Sequence, residues 1–223
     1  MDSIFKGDVN TARGRALAWV DSLFIDHAIF RLGFHNFGTV IPDKLYRGNH
    51  PTPGRLRALT RRYGLTTVIN LRGATGTGSY HLSRDTAAKL DIDYVDLSLE
   101  SRGAPHRDRI LRLHDIYRAM PGPALLHCKS GADRAGLAAG LCLLFEGRSA
   151  AEALRQLSWR FGHIKQARTG ILDAFFLRYQ RDGEGRKSFF EWLDQDYNEA
   201  ELRRDFHANG LASFINDWVL VHE

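Results

Sequence analysis

The stretch His127-Cys128-Lys129-Ser130-Gly131-Ala132-Asp133-Arg134-Ala135-Gly136 constrains the fold of this chain more than any other. It sets a cysteine and an arginine in Cys-x5-Arg spacing between a short apolar run, Ala124 to Leu126, and a longer one, Leu137 to Phe145. The first run reads as the end of a buried strand and the second as a helix, so the residues from Cys128 to Arg134 form the turn that joins them. Backbone N–H groups in such a turn converge at the positive end of the helix and make a cup for an anion. A phosphate in that cup gains the amides of Lys129, Ser130, Gly131 and Ala132 and a two-pronged contact from the planar Arg134 guanidinium. The same field favours the thiolate form of Cys128, the nucleophilic one.

On a strand, loop and helix, His-Cys-x5-Arg resembles the cysteine-dependent phosphatase superfamily in its compact dual-specificity branch. The nearest group is the bacterial dual-specificity-like, atypical tyrosine phosphatases, whose loops often read His-Cys-x-x-Gly-x-x-Arg-Thr-Gly. A second block, Leu45-Tyr46-Arg47-Gly48-Asn49-His50-Pro51-Thr52-Pro53 and then Thr66-Thr67-Val68-Ile69-Asn70-Leu71-Arg72-Gly73, is similar to the opening of those domains. The resemblance spans residues 38 to 180. Two rival readings of Cys128 stand beside it: a small buried hydrophobe, and a rhodanese-type thiol loop. The tyrosine-arginine block and the helix order count against the second.

The rest of the chain alternates. Thr52 with Pro53 is a cap and first-turn signal, Leu56, Leu59 and Tyr63 follow at helical spacing, and Gly64 ends the helix. Thr66 to Leu71 is a predicted strand, Ser83 to Leu90 a helix, Ile92 to Leu99 a strand, Asp108 to Met120 a helix, and Ala124 to His127 the strand that carries the loop. After the helix that follows the loop, Gly147 stops the run and Ser149-Ala150-Ala151-Glu152 is a capping box. Thr169 to Tyr179 reads as a further helix, and Ser188 to Glu191 opens a short helical tail. The order implies an α/β fold with a mainly parallel central sheet flanked by helices. A phosphatase-like domain is expected over residues 38–182, with helical extensions over 1–37 and 183–223. Sites in such sheets lie beyond the C-terminal strand ends, where Arg72, the 100–106 loop and Cys128 all emerge.

With 223 residues and 43% hydrophobic content, the chain can bury one catalytic core. No run approaches the ~20 apolar residues needed to span a bilayer, and the N-terminus lacks the order of a secretory signal. A cytoplasmic protein is expected, which suits a thiolate nucleophile. Cys142 lies about 12 Å or more up the helix from Cys128, too far for a disulfide, and reads as core packing. The net charge of +5 suits an anionic substrate but is weakened as a signal by Arg55, Arg57, Arg61 and Arg62, which fall on one solvated helix face. Nucleic acid is not indicated, and no zinc spacing or other metal or cofactor signature occurs.

The resemblance implies a mechanism. Cys128 attacks phosphorus in line to give a cysteinyl-phosphate, Arg134 and the loop amides stabilise the equatorial oxygens, and water releases phosphate without a metal. A carboxylic acid on a loop normally protonates the leaving oxygen, worth about 100- to 10,000-fold in rate. Here the sequence departs from the pattern, because Glu100-Ser101-Arg102-Gly103-Ala104-Pro105-His106 has no aspartate at the usual place. Glu100 is the best replacement by location, Asp96 ranks lower because it falls inside the strand pattern, and Asp133, beside Arg134 as in myotubularin-type lipid phosphatases, is the third candidate, with a structural acceptor for loop N–H groups as its equal alternative. A second departure is Ala135, where relatives commonly carry a hydroxyl that helps the sulfur leave; slow breakdown of the intermediate is expected, with Ser130 a partial substitute.

Phosphorylated protein and phosphorylated lipid or inositol both remain as substrate classes. Lys129 resembles the corresponding lysine of tensin-type phosphoinositide phosphatases, but Ala132 replaces their second loop lysine. Arg72 is a further expected anion contact, and Lys165, Gln166 and Arg168 lie where related domains bring a second loop to the pocket. Leu17 to Phe37, with Trp19, Phe24, Phe30, Phe34 and Phe37, reads as a helix packed on the domain, with peripheral membrane contact as the alternative. An active phosphomonoesterase, a phosphate-binding pseudoenzyme and a sulfurtransferase are the function classes, the first favoured because Cys128 and Arg134 are both present.

Overall fold

The strand that ends at the nucleophile, β5 (Ala124–Cys128), is buried at every residue and therefore belongs inside a sheet covered on both faces. The computed structural model describes residues 5, 7–25 and 35–207. In it β5 is the middle of five strands, flanked by β2 (Leu45–Asn49) and β3 (Thr67–Asn70), with β1 (Gly38–Ile41) outside β2 and β4 (Asp93–Asp96) outside β3. Every neighbouring pair is parallel except β1 with β2. The mainly parallel sheet flanked by helices is thus present, and its one antiparallel edge comes from two strands the periodicity did not mark.

Alternation along β5 sorts the core. Leu126 and Cys128 point to the larger cluster, built with α4 (Arg107–Ala119), α5 (Asp133–Phe145), α6 (Ala150–Leu154), α7 (Ile171–Asp182) and α8 (Phe189–Gln195). Leu125 points to the other face, where α2 (Pro53–Tyr63) contributes Leu56 and α3 (Gly78–Lys89) contributes Ala87. Helix α5 is buried from Ala135 to Leu144, so it is held by packing all round, each fully buried leucine contributing roughly 2 kcal/mol. Phe189, Trp192 and Leu193 of α8 belong to the same core as α5.

The N-terminal helix α1 (Ala12–Val20) packs on α3 through Ala18, Leu82 and Phe5. The approach is close, since a Cβ on Gly78 would lie 2.0 Å from the Ala18 carbonyl oxygen. Fully buried Asp21 follows; its Oδ2 accepts from Gly78 N at 2.6 Å, which ties this segment to the start of α3. Packing is therefore what the structure shows for Trp19 and for Phe37, which stacks on Tyr46 and Tyr63; Phe24 is 62% exposed. Phe30 and Phe34 lie outside the described residues. Among the described residues no helix is long and apolar enough to cross a membrane.

Local signals account for the element ends. Thr52 Oγ1 accepts from Arg55 N and Gly64 takes the left-handed turn, as expected for α2. Helix α3 begins at Gly78 rather than Ser83 because Thr77 caps it from outside the apolar pattern. Strand β4 stops at Asp96, yet Leu97 and Leu99 still donate to Asn70 and Leu71, so the chain stays beside β3 as far as the loop at 100. Both the Ser149–Glu152 and Ser188–Glu191 boxes are closed reciprocally. Arg55 leaves the solvated face of α2: it donates to Asn49 Oδ1 at 2.9 Å and to the His35 carbonyl at 2.8 Å.

Candidate active site

Leaving β5, the chain turns at Gly131, whose φ of +79° suits glycine. A side chain there would also collide with β2, since its Cβ would sit 2.7 Å from Asn49 N. This turn brings Gly131 N back to donate to Cys128 Sγ at 3.2 Å. Ala132 N donates to Ser130 Oγ, and α5 starts at Asp133 with no side chain capping it. An uncapped helix start facing a sulfur is an arrangement that accepts an anion. Cys128 is 4% exposed. Arg134 makes no hydrogen bond or ion pair with any described residue, and its Nε is buried without a partner. Cys142 is a separate free thiol, and burial pushes its pKa up.

The loop is held from behind by a residue that sequence reasoning left inside the resemblance block. Arg47, on β2, is fully buried. Its Nη2 donates to the carbonyls of Gly131 at 2.7 Å and Ala132 at 3.0 Å, its Nη1 to Gln156, and its guanidinium lies 3.9 Å over the Phe161 ring. Burial lowers its pKa to about 10, against the raising effect of Cys128 and Asp133. Its charge therefore persists at neutral pH, spent on carbonyls that would otherwise point away from any donor. The available signal was its place in Leu-Tyr-Arg-Gly-Asn, inside the block that carries the resemblance. Asn36 adds a second brace, donating to the carbonyls of Ser130 at 2.7 Å and Phe161 at 2.9 Å.

The three acid candidates are built differently. Glu100 folds back on its own segment: Arg109 Nη1 bonds Oε1, and His106 N donates to Oε2 at 3.3 Å. Asp96 accepts from Asn70 Nδ2 at 2.7 Å and Tyr80 OH at 2.8 Å. Asp133 sits beside Arg134 and uses only Oδ1, which accepts from His163 Nδ1 at 2.8 Å; His163 Nε2 in turn bonds Asp173 Oδ2 at 2.6 Å. Burial of His163 opposes its charge, but hydrogen bonds and attraction from the two carboxylates outweigh that and raise its pKa to about 9. It is thus an imidazolium at neutral pH, donating from both nitrogens. The sequence marks the segment 162–168 through Lys165, Gln166 and Arg168 but gives no role to His163 or Asp173, because only the tertiary fold brings them to Asp133.

Arg72 stands at the end of β3, half-buried, its Nη1 3.5 Å from His50 Nδ1, and the His50 ring packs edge-on against His127 at 4.6 Å. Lys129 and Ser130 are exposed on the loop, as are Lys165, Gln166 and Arg168 on the segment after His163. Ala135 is fully buried in the first turn of α5, so no hydroxyl stands there. Among the described residues no group of three or more His, Cys, Asp or Glu side chains is placed to hold a metal ion.

Solved structures share this architecture. TpbA of P. aeruginosa superposes with a TM-score of 0.53 at 22% identity, over 65% of this chain and 84% of that one. The core catalytic domain of the PP-IP phosphatase SIW14 of S. cerevisiae gives 0.53 at 15% identity, over 63% and 85%. A putative phosphatase of Shewanella putrefaciens gives 0.51 at 17%, over 68% and 92%. No curated protein sequence matches the chain. The family model described as a DSP-PTPase phosphatase fused to NAD+ kinase matches residues 40–160, which contain β2, the thiol loop and α5. Since that match takes in more than half of the sequence, the chain belongs to the DSP-PTPase family of cysteine-dependent phosphatases.

Proposed function

We propose that the chain hydrolyses phosphomonoesters through a cysteinyl-phosphate on Cys128, with Asp133 as the proton donor and His163 behind it. The observation that carries the reading is the loop from Cys128 to Arg134: a sulfur receiving a loop amide, an uncapped helix start, and an arginine that bonds no described residue. Cys128 attacks phosphorus, the bond to the leaving oxygen breaks, and Arg134 with the loop amides carries the equatorial charge, so the site's own cations supply the stabilisation. As that bond breaks, the His163 imidazolium gives its Nδ1 proton to the Asp133 carboxylate and Asp133 delivers a proton to the leaving oxygen, which leaves Asp133 a carboxylate again. His163 is left neutral and bonded to Asp173. Water then attacks phosphorus, returns a proton through Asp133, and expels the thiolate.

Asp133 is favoured over Glu100 because Oδ2 of Asp133 has no partner among the described residues, whereas both oxygens of Glu100 are engaged at the start of α4. A reducing compartment such as the cytoplasm suits the thiolate. The second reading, phosphate binding with little turnover, is favoured by Ala135 alone.

Metal-free hydrolysis of an aryl phosphate, followed by rapid mixing in wild type and Cys128→Ser, tests the proposal. Vanadate-sensitive turnover that the mutant loses is the expected result, with a burst if the intermediate breaks down slowly. Phosphate binding with neither burst nor turnover would leave a recognition module.

A further inference from the structure

Beside Asp133 opens a groove of about 360 Å³, within the roughly 300–1,000 Å³ usual for small-ligand sites. Its walls come from chain-distant segments: Arg102 from the loop after β4, and Ile164, Arg168 and Thr169 from the segment after His163. Asp133, the first residue of α5 and the chain neighbour of Arg134, lines it as well, so the groove opens beside the start of the helix that follows the thiol loop.

Its charge is unbalanced. Arg102 and Arg168 are both exposed, and neither has a hydrogen bond or ion pair with any described residue. The contrast with nearby arginines is informative, because Arg107 pairs with Asp194 and Arg109 with Glu100. Among the described residues the one carboxylate lining the groove is Asp133, already bonded to His163. Two guanidiniums sharing a concave site without a counter-charge repel each other. A dianion with several acceptor oxygens removes that repulsion and matches two planar forks at once.

We infer that the groove is a second phosphate subsite, and that the natural substrate is a small molecule bearing at least two phosphates, one cleaved at Cys128 and another held between Arg102 and Arg168. This rests on the phosphatase reading above and narrows it, since a groove of this size takes a ring with its substituents rather than a flat protein surface.

Matched pairs provide the test: a hexose monophosphate against its bisphosphate, inositol phosphates with one and with six phosphates, and tyrosine peptides with one and with two phosphates. The second phosphate is expected to raise kcat/KM by ~100-fold for the small molecules, mainly through KM, about tenfold for each arginine. Arg102→Gln and Arg168→Gln should each remove about tenfold of that ratio, Arg→Lys at either position less, and Arg57→Gln, on the exposed face of α2, none. Equal kcat/KM for mono- and polyphosphorylated compounds would overturn the inference, as would a preference that survives the double Gln variant or is confined to the peptides. Should aryl phosphate also prove inert, the phosphatase reading fails separately. Calorimetry of the same compounds on Cys128→Ser then still decides the subsite: tighter binding of the bisphosphate that the double variant loses upholds it, and equal binding refutes it.

Discussion

Two loops leave the same end of the sheet, and they differ in what their carboxylates are bonded to. Residues 128–134 are braced from outside, by Arg47 and Asn36 from segments far away in the chain, with a glycine that no other residue can replace. Residues 97–106 use their own carboxylate as a tie: Glu100, expected to act as acid, binds His106 and Arg109 at the start of α4, while Tyr197 and Glu199 hold Pro105 and His106 from farther along the chain. Anion binding requires fixed dipoles, so rigidity serves the first loop. Proton delivery requires a carboxyl with a free oxygen, and the second loop has committed its own. In the proposed mechanism Asp133 of the first loop, backed by His163, takes the place of Glu100.

That contrast is most open to attack at the two carboxylates. Asp133→Asn should lower kcat about 100- to 1,000-fold toward an alkyl phosphate and far less toward an aryl phosphate with an acidic leaving group. Glu100→Gln should change kcat by about threefold or less and instead lower the melting temperature. A reversal of these two outcomes would return the acid to the second loop.

Next in size is the glycine. Gly131→Ala forces a Cβ toward the Asn49 amide at a positive φ, and should cost about 2 kcal/mol or more of stability and weaken vanadate binding. Thermal melts with and without vanadate would show it. Gly103→Ala in the other loop meets only Glu100 Cγ at 3.8 Å and should be nearly silent.

The pH profile sharpens the comparison further. His163 has a folded pKa raised to about 9 from an ordinary 6.5, so its contribution to stability is complete below about 6.5 and is lost as pH rises through about 9. Activity that depends on the imidazolium should fall over that same upper limb, several-fold between pH 8 and 10. In His163→Gln the limb should vanish from kcat, whereas a merely structural histidine would leave the limb in place and shift only the melting temperature. The smallest effect is expected from Ala135→Ser, which supplies the missing hydroxyl near the sulfur. It should speed breakdown of the intermediate by a few-fold, visible as a shallower burst.

Much of this was legible in the chain. Cys128, Arg134 and the loop between them could be read because the whole unit is local: a strand, a turn and a helix in one stretch, each declared by apolar runs and a glycine. The helices were legible where caps stand next to apolar periodicity, as at Thr52 and Ser149, and α3 was read short because Thr77 caps it outside that periodicity. β1 and β2 escaped because a bulged hairpin containing an arginine and a glycine has no alternating pattern.

By itself the sequence determined the strand, turn and helix that carry Cys128 and Arg134 and the alternating order that builds a parallel sheet, since both follow from neighbours in the chain. Only the tertiary structure decided what holds the cup and which carboxylate beside it keeps an oxygen without a partner among the described residues. Arg47 reaches Gly131 across 84 residues, and His163 reaches Asp133 across 30. A buried charge takes its meaning from the groups that surround it after folding. For that reason Arg47 became a brace and Asp133, bonded to His163, became the proposed donor, while Glu100, well placed in sequence, is held by its own loop.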